Sequence, residues 1–165
     1  MIKTIKFNGK RYPRFQSEGF ASQFAIPFAT KLCQGEGYDI GYGKKEWLFP
    51  GASGIDENDG SPFDAYNLPD GSVDFIYSSH CLEHLHDWVM ALEYWASHIR
   101  PGGVLFLYLP HRSQHYWNPW NNRKHLHVLD EEMVSKCIKN LGFVNIFHSE
   151  RDLNHSFIVV GEKNG

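Results

Sequence analysis

Two carboxylates and two glycines define the chemistry this chain can do. Asp39-Ile40-Gly41-Tyr42-Gly43 closes a short strand with glycines where the backbone must turn sharply and let a ligand approach without a Cβ in the way. Asp56 ends the next short strand, Ser53-Gly54-Ile55, at the place from which a carboxylate accepts hydrogen bonds from a ribose diol. A dinucleotide fingerprint wants a third glycine where this chain has Glu46, so nicotinamide and flavin cofactors fit poorly.

A second group, His80-Cys81-Leu82-Glu83-His84, spells H-x-x-E-H, the pattern in which two histidines hold zinc and the glutamate activates a water. That chemistry needs both histidines on one helical face. Here the pattern directly follows the β-prone run Val73 to Tyr77, which places it in a strand-to-helix turn. His80 and His84 are therefore expected to diverge and to hold no metal, and a zinc hydrolase remains only a remote alternative. His111, His115, His125 and His127 crowd a stretch shared with Tyr116, Trp117 and Trp120. Either this is a half-buried loop held down by aromatics, or it is a substrate lid with His111 or His80 as general base, an imidazole titrating near operating pH.

These residues need elements to position them. Val73 to Tyr77 reads as a buried strand, and Leu85, Val89, Leu92, Trp95, Ala96 and Ile99 recur near every 3.6 residues, which predicts an amphipathic helix over 87–99. Arg100-Pro101-Gly102-Gly103 is a tight turn before the apolar strand Val104 to Leu109, covered on both faces. Residues 111–127 form a loop over the crevice. Asp130 caps a second helix, with Glu131 and Glu132 in its first turn and Met133, Cys137, Ile138 and Leu141 on its buried face, and Gly142 ends it. Phe143 to Phe147 and Phe157 to Val160 are the last strands, joined too tightly for a helical crossover and so antiparallel.

Upstream, residues 1–34 make an arm and a helix. Asn8-Gly9 between Ile5, Phe7 and Tyr12 suits a hairpin. A helix behind Ser17 must kink or end at Pro27. Strands alternating with helices predict an α/β three-layer sandwich: a Rossmann-like, mostly parallel sheet with an antiparallel C-terminal strand, all in a single domain over residues 1–165.

Composition narrows the partners. A formal net charge of −3 and a pI near 6.3 provide no footprint for a phosphate backbone, so nucleic acid is disfavoured. Three separated cysteines, Cys33, Cys81 and Cys137, form no C-x-x-C pair and suit a reducing compartment. No apolar run reaches the ~20 residues of a spanning helix, so the expectation is a cytoplasmic protein with no membrane contact. Nothing here fixes an oligomeric state.

With these segments in order, the chain resembles the class I S-adenosylmethionine-dependent methyltransferases, and within them a small type with a shortened first helix between glycine loop and ribose-binding acid. The resemblance runs through Asp39 to Gly43, Pro50-Gly51 to Asp56, Asp64-Ala65 to Leu68-Pro69 after a presumed third strand, Asp74 to Leu85, Arg100 to Leu107, and Leu141-Gly142-Phe143. It implies S-adenosyl-L-methionine across the carboxyl ends of three strands. Asp39, Gly41, Tyr42 and Gly43 would form the loop against its methionine and ribose portion, and Asp56 would hold the ribose hydroxyls. Asp64 would meet the adenine amino group with Ala65 beside it, and Ser79 would border the methionine end. The chain departs from the pattern at Tyr42, where a small residue is common, and at Lys44-Lys45, where a third glycine is usual. The implied activity is methyl transfer to a small-molecule acceptor, the competing reading being a non-catalytic binding module of the same fold.

Overall fold

The computed structural model describes residues 3–14 and 19–165. The proposed Ser17 cap lies outside them. Thr4–Phe7 (β1) and Lys10–Pro13 (β2) pair antiparallel around Asn8 and Gly9, both at positive φ, as a two-residue hairpin turn requires. Ala21–Phe24 is a 3₁₀ turn followed by the one-turn helix Ile26–Ala29 (α1). Pro27 sits at the start of α1, where its missing N–H costs nothing, so it opens the helix and does not break one.

The main sheet has six strands: Gly37–Ile40 (β3), Ser53–Ile55 (β4), Val73–Ser79 (β5), Ile99–Pro110 (β6), Phe143–His148 (β7) and Ser156–Lys163 (β8). Their order is β4-β3-β5-β6-β8-β7. The first four are parallel, and β8 runs antiparallel to both β6 and β7, as the short link Ser149 to His155 demands. Two helices of ten residues, Trp88–Ser97 (α2) and Glu131–Asn140 (α3), begin at Asp87 and Asp130. Each cap carboxylate accepts the N–H three residues on, from Met90 at 2.9 Å and Met133 at 2.8 Å.

Side-chain alternation along β5 and β6 divides the core. Ile76, Leu105 and Leu107 face α2 and α3, where Leu92, Trp95 and Ile138 are buried, whereas Phe75, Tyr77, Phe106 and Tyr108 face Ala21, Ala25 and Ala29. The result is the expected three-layer α/β sandwich with a Rossmann-like sheet. Burial of a side chain such as Leu92 contributes about 1.5–3 kcal/mol. Among the described residues no helix is long and apolar enough to cross a membrane.

Two expectations are corrected. Arg100 to Gly103 is a bulge within the continuous strand β6, opposite Asp74, and not a turn ahead of it. Arg100 spans the irregularity, its guanidinium 2.9 Å from the Asp74 carboxylate. The presumed third strand before Asp64 does not form; between Ile55 and Val73 there is a single bridge, Asp64 to Asn67. Asp59, Gly60 and Pro62 turn the chain too often there for a ladder to extend.

Candidate functional site

The carboxyl ends of β3, β4 and β5 open on a crevice of about 690 Å³, within the range of small-ligand sites. Its floor is the glycine loop. The Gly41 N–H donates to the Ile55 carbonyl at 2.8 Å, and the Gly43 N–H donates to the Asp56 carboxylate at 2.9 Å, so the loop is pinned to the end of β4. Gly41 and Gly43 both lie at positive φ, +78° and +73°. A Cβ on Gly41 would stand 2.5 Å from the Cys81 Cβ and Sγ, so the close approach that excludes a side chain there is made by Cys81, from the protein itself. Where a first helix would stand, only the 3₁₀ turn Lys45–Trp47 joins the loop to β4.

Asp39, Gly41, Tyr42, Gly43, Asp56, Ala65 and Ser79 all line the crevice. Asp39 is buried and accepts the Phe49 N–H at 2.7 Å; burial pushes its carboxyl up to about 7. Asp56 is buried; its Oδ1 accepts both the Asn58 backbone N–H at 3.0 Å and the Asn58 side-chain amide at 3.1 Å, whereas Oδ2, bonded to the Gly43 N–H alone, keeps a lone pair. Tyr42 lies along Gly54 and donates its hydroxyl to Asp59 at 3.2 Å. Asp64 is not among the lining residues; its carboxylate accepts the Tyr66 N–H at 2.7 Å and caps its own turn, leaving Ala65 and Tyr66 to face the crevice. Ala65 is held from behind by the Trp95 indole, which donates to its carbonyl at 2.7 Å.

The two proposed bases fare differently. His80 lines the crevice at φ +50°, but its Nε2 is 2.9 Å from the Ser156 hydroxyl. Burial, with His125 and His84 beside it, pushes its pKa down to about 3, too weak a base for work near neutrality. His111 lies outside the crevice, in a second, small recess with Pro110, Gln114 and Asn118, its ring held near the Ser113 hydroxyl at 2.9 Å. The loop that carries it turns away at once, because the His111 N–H is tied to the His155 carbonyl at 2.8 Å.

His80 and His84 do not share one cluster of ligand atoms, yet both come near the same carboxylate. Leu82–His84 is a 3₁₀ turn, and its tight winding brings both imidazoles to the Glu83 carboxylate, at 3.7 and 3.8 Å. His125, from the loop, reaches the same oxygen at 3.9 Å. The Glu83 carbonyl places it there by accepting the Leu126 N–H at 2.8 Å. Neither His125 nor Glu83 stands out in the sequence as a pair, because 41 residues and an irregular loop separate them and no periodicity reports loop register. Trp117, stacked on His125 at 5.1 Å, lines the crevice; Tyr116 turns away to Phe7. The described residues do not show the hydrolase arrangement, since His80 does not join His84 in one group of ligand atoms and the motif is on no α-helix.

The comparisons with known proteins agree with this geometry. No curated protein matches the chain in sequence. Among solved structures, a chain of the complex between the Haloferax volcanii Trm112 methyltransferase activator and a putative methyltransferase superposes with a TM-score of 0.70 at 14% identity, over 92% of each chain. N-methyltransferase NodS from Bradyrhizobium japonicum, in complex with S-adenosyl-L-homocysteine, gives 0.65 at 14% identity, over 92% of this chain and 88% of that one. A possible histamine N-methyltransferase from Thermotoga maritima gives 0.62 at 16%, over 92% and 97%. At these identities the likeness is one of fold. The family model described as "Methyltransferase domain" matches residues 21–148, more than half of the chain and every element around the crevice. With the glycine loop, the strand-end carboxylates and the crevice between them in one place, the chain belongs to the methyltransferase-domain family.

Proposed function

We propose that this enzyme moves the methyl group of S-adenosylmethionine to a small-molecule acceptor that enters the crevice between Trp117 and the Leu82–His84 turn. The observation that carries this reading is the arrangement of Asp56 and the glycine loop. A carboxylate at the end of β4 is hydrogen-bonded to Gly43 through Oδ2, and that oxygen retains a lone pair for a hydroxyl of a diol. The cofactor, when bound, supplies an already activated methyl on a sulfonium, so the protein's contribution is alignment and exclusion of water.

In this reading Asp56 holds the ribose hydroxyls, and Gly41 and Gly43 let the loop lie flat beneath the ligand. Asp39, buried beneath the loop, attracts a cationic group. Ala65 and Tyr66 border the adenine, the part assigned to Asp64 by resemblance passing to its neighbours. Ser79 and His80 border the reacting end. His80, kept neutral, orients and does not abstract, which favours an acceptor that is nucleophilic without a strong base from the protein. The size of the crevice and the aromatic wall at Trp117 support a small acceptor.

Calorimetric titration with S-adenosylhomocysteine tests the arrangement. Wild type should bind one equivalent, and Asp56→Ala should weaken binding about tenfold to a hundredfold, the cost of roughly 1.5–3 kcal/mol for bonds to a charged acceptor. Asp56→Asn, which keeps an oxygen for the Gly43 N–H, separates loss of the ligand contact from collapse of the loop. Unchanged affinity in both variants would remove Asp56 from the site.

A further inference from the structure

Glu83 is a buried carboxylate without a side-chain hydrogen bond. Its side chain is 0% exposed and neither oxygen has a hydrogen bond among the described residues. Desolvation of an unpaired carboxylate is costly, and such a group is ordinarily paired or bound to a metal. Around it stand His84 Nε2 at 3.8 Å and His125 Nε2 at 3.9 Å, too far for hydrogen bonds. One ligand atom from each of Glu83, His84 and His125 lies within 4.8 Å of the others. Two ligands, each about 2.1 Å from a tetrahedral ion, are themselves about 3.4 Å apart, close to these gaps.

The tautomer of His84 is set for the same purpose. Its Nδ1 is 2.8 Å from the Lys124 carbonyl, which can only accept, so Nδ1 carries the proton and the Nε2 lone pair points toward Glu83. A backbone carbonyl on the far nitrogen is the usual support of a metal-bound imidazole. His125 is fixed by stacking on Trp117 at an interplanar angle of 9°.

We propose that Glu83, His84 and His125 bind one divalent first-row transition ion of the zinc type. Two imidazoles and one carboxylate suit that class and not calcium or magnesium, which prefer oxygen. Three protein ligands leave a coordination position open. His84 and His125 both line the crevice, so that position faces it. His80 is not a ligand: its Nδ1 is 3.7 Å from the Glu83 carboxylate, but it does not fall in the group whose ligand atoms all lie within 4.8 Å of one another, and the set differs from the two histidines of the sequence pattern.

The site is tested without cofactor or acceptor, so its failure is distinct from failure of the methyl-transfer reading, which S-adenosylhomocysteine affinity reports. Tag-free protein is stripped with chelator, dialysed, and titrated with Zn²⁺ by calorimetry and with Co²⁺ by visible absorption. The expected result is one equivalent bound, intense tetrahedral Co²⁺ bands, and a rise in Tm at saturating Zn²⁺. His84→Ala and His125→Ala should each weaken binding about a hundredfold or more, and His148→Ala, an exposed strand position on β7, should leave it unchanged. Glu83→Gln guards against misfolding, since it removes a buried ionisable group while keeping the shape. It should fold at least as well as wild type in chelator and lose the Zn²⁺-dependent rise in Tm. No stoichiometric binding by wild type, or binding undiminished in both histidine variants, would overturn the proposal.

Discussion

Asp39 carries a carboxyl that burial holds near neutrality at the point where the glycine loop begins. The Phe49 N–H favours its charged form, but desolvation outweighs that bond and Asp56 adds repulsion, raising the pKa to about 7 from the ordinary value of 3.8. The folded state therefore holds a proton that the unfolded chain releases at lower pH. Stability falls as pH rises from about 4 to about 7 and is level above that range. Asp39→Asn keeps an oxygen for the Phe49 N–H and cannot ionise. Its Tm should equal that of wild type near pH 4 and exceed it increasingly up to pH 7, by up to a few kcal/mol of stability at pH 8. A constant difference between pH 4 and 8 would show that Asp39 titrates normally. Three acids, Asp39, Asp56 and Glu57, line the crevice, and the proton that Asp39 holds below about pH 7 lowers the repulsion among them.

At the scale of elements, the glycine loop is shaped by two different demands on its two glycines. Gly41 needs positive φ and also space, with Cys81 at 2.5 Å from where a Cβ would be; Gly43 needs positive φ alone, its nearest neighbour being Trp47 at 3.4 Å. Alanine in the left-handed region costs about 1–2 kcal/mol. Gly43→Ala should lose about that much in chemical denaturation, and Gly41→Ala clearly more, with weaker S-adenosylhomocysteine binding in addition. Equal losses would mean that the Cys81 side chain yields freely. The strand ending in Gly-x-Gly, the acid closing β4, the helix cap at Asp130 and the final antiparallel pair were all legible in the sequence, because each rests on local chemistry or on a period of 2 or 3.6. What was not legible is long-range or irregular. Gly41 meets Cys81 from the neighbouring strand end, the bulge at Arg100 to Gly103 reads as a turn until Asp74 is opposite it, and the 3₁₀ winding that brings His80 and His84 near Glu83 leaves no trace in the pattern. His111 was placed in the crevice by its position after β6, a step that assumed the chain keeps its direction beyond Pro110.

Across the whole molecule, a run of rings connects the N-terminal hairpin to the crevice. Phe7 on β1 packs edge-on against Tyr116 at 5.1 Å, Tyr116 against Trp117 at 4.8 Å, Trp117 on His125 at 5.1 Å, and His125 against His84 at 4.4 Å. On the other strand of the hairpin, the buried Tyr12 meets His155 at 5.3 Å, so the hairpin also holds the turn between β7 and β8. The loop over 111–127 is thus clamped from outside by the hairpin and from inside by Glu83, whose carbonyl accepts the Leu126 and His127 N–H groups. Gln114, Asn118 and His125 are buried within it, which is tighter packing than a free lid would have. An aromatic pair contributes about 0.5–1.5 kcal/mol beyond its burial. Phe7→Ala removes the outer clamp and leaves the inner one, so amide exchange over residues 113–122 should accelerate by about twofold to tenfold, the kinetic equivalent of that energy when opening is at equilibrium. Leu105 to Leu109, central in the sheet, should exchange as slowly as before. If the 113–122 amides are unmoved in Phe7→Ala, the hairpin rests on the loop without restraining it, and the order of the crevice wall comes from Glu83 and Trp117 alone.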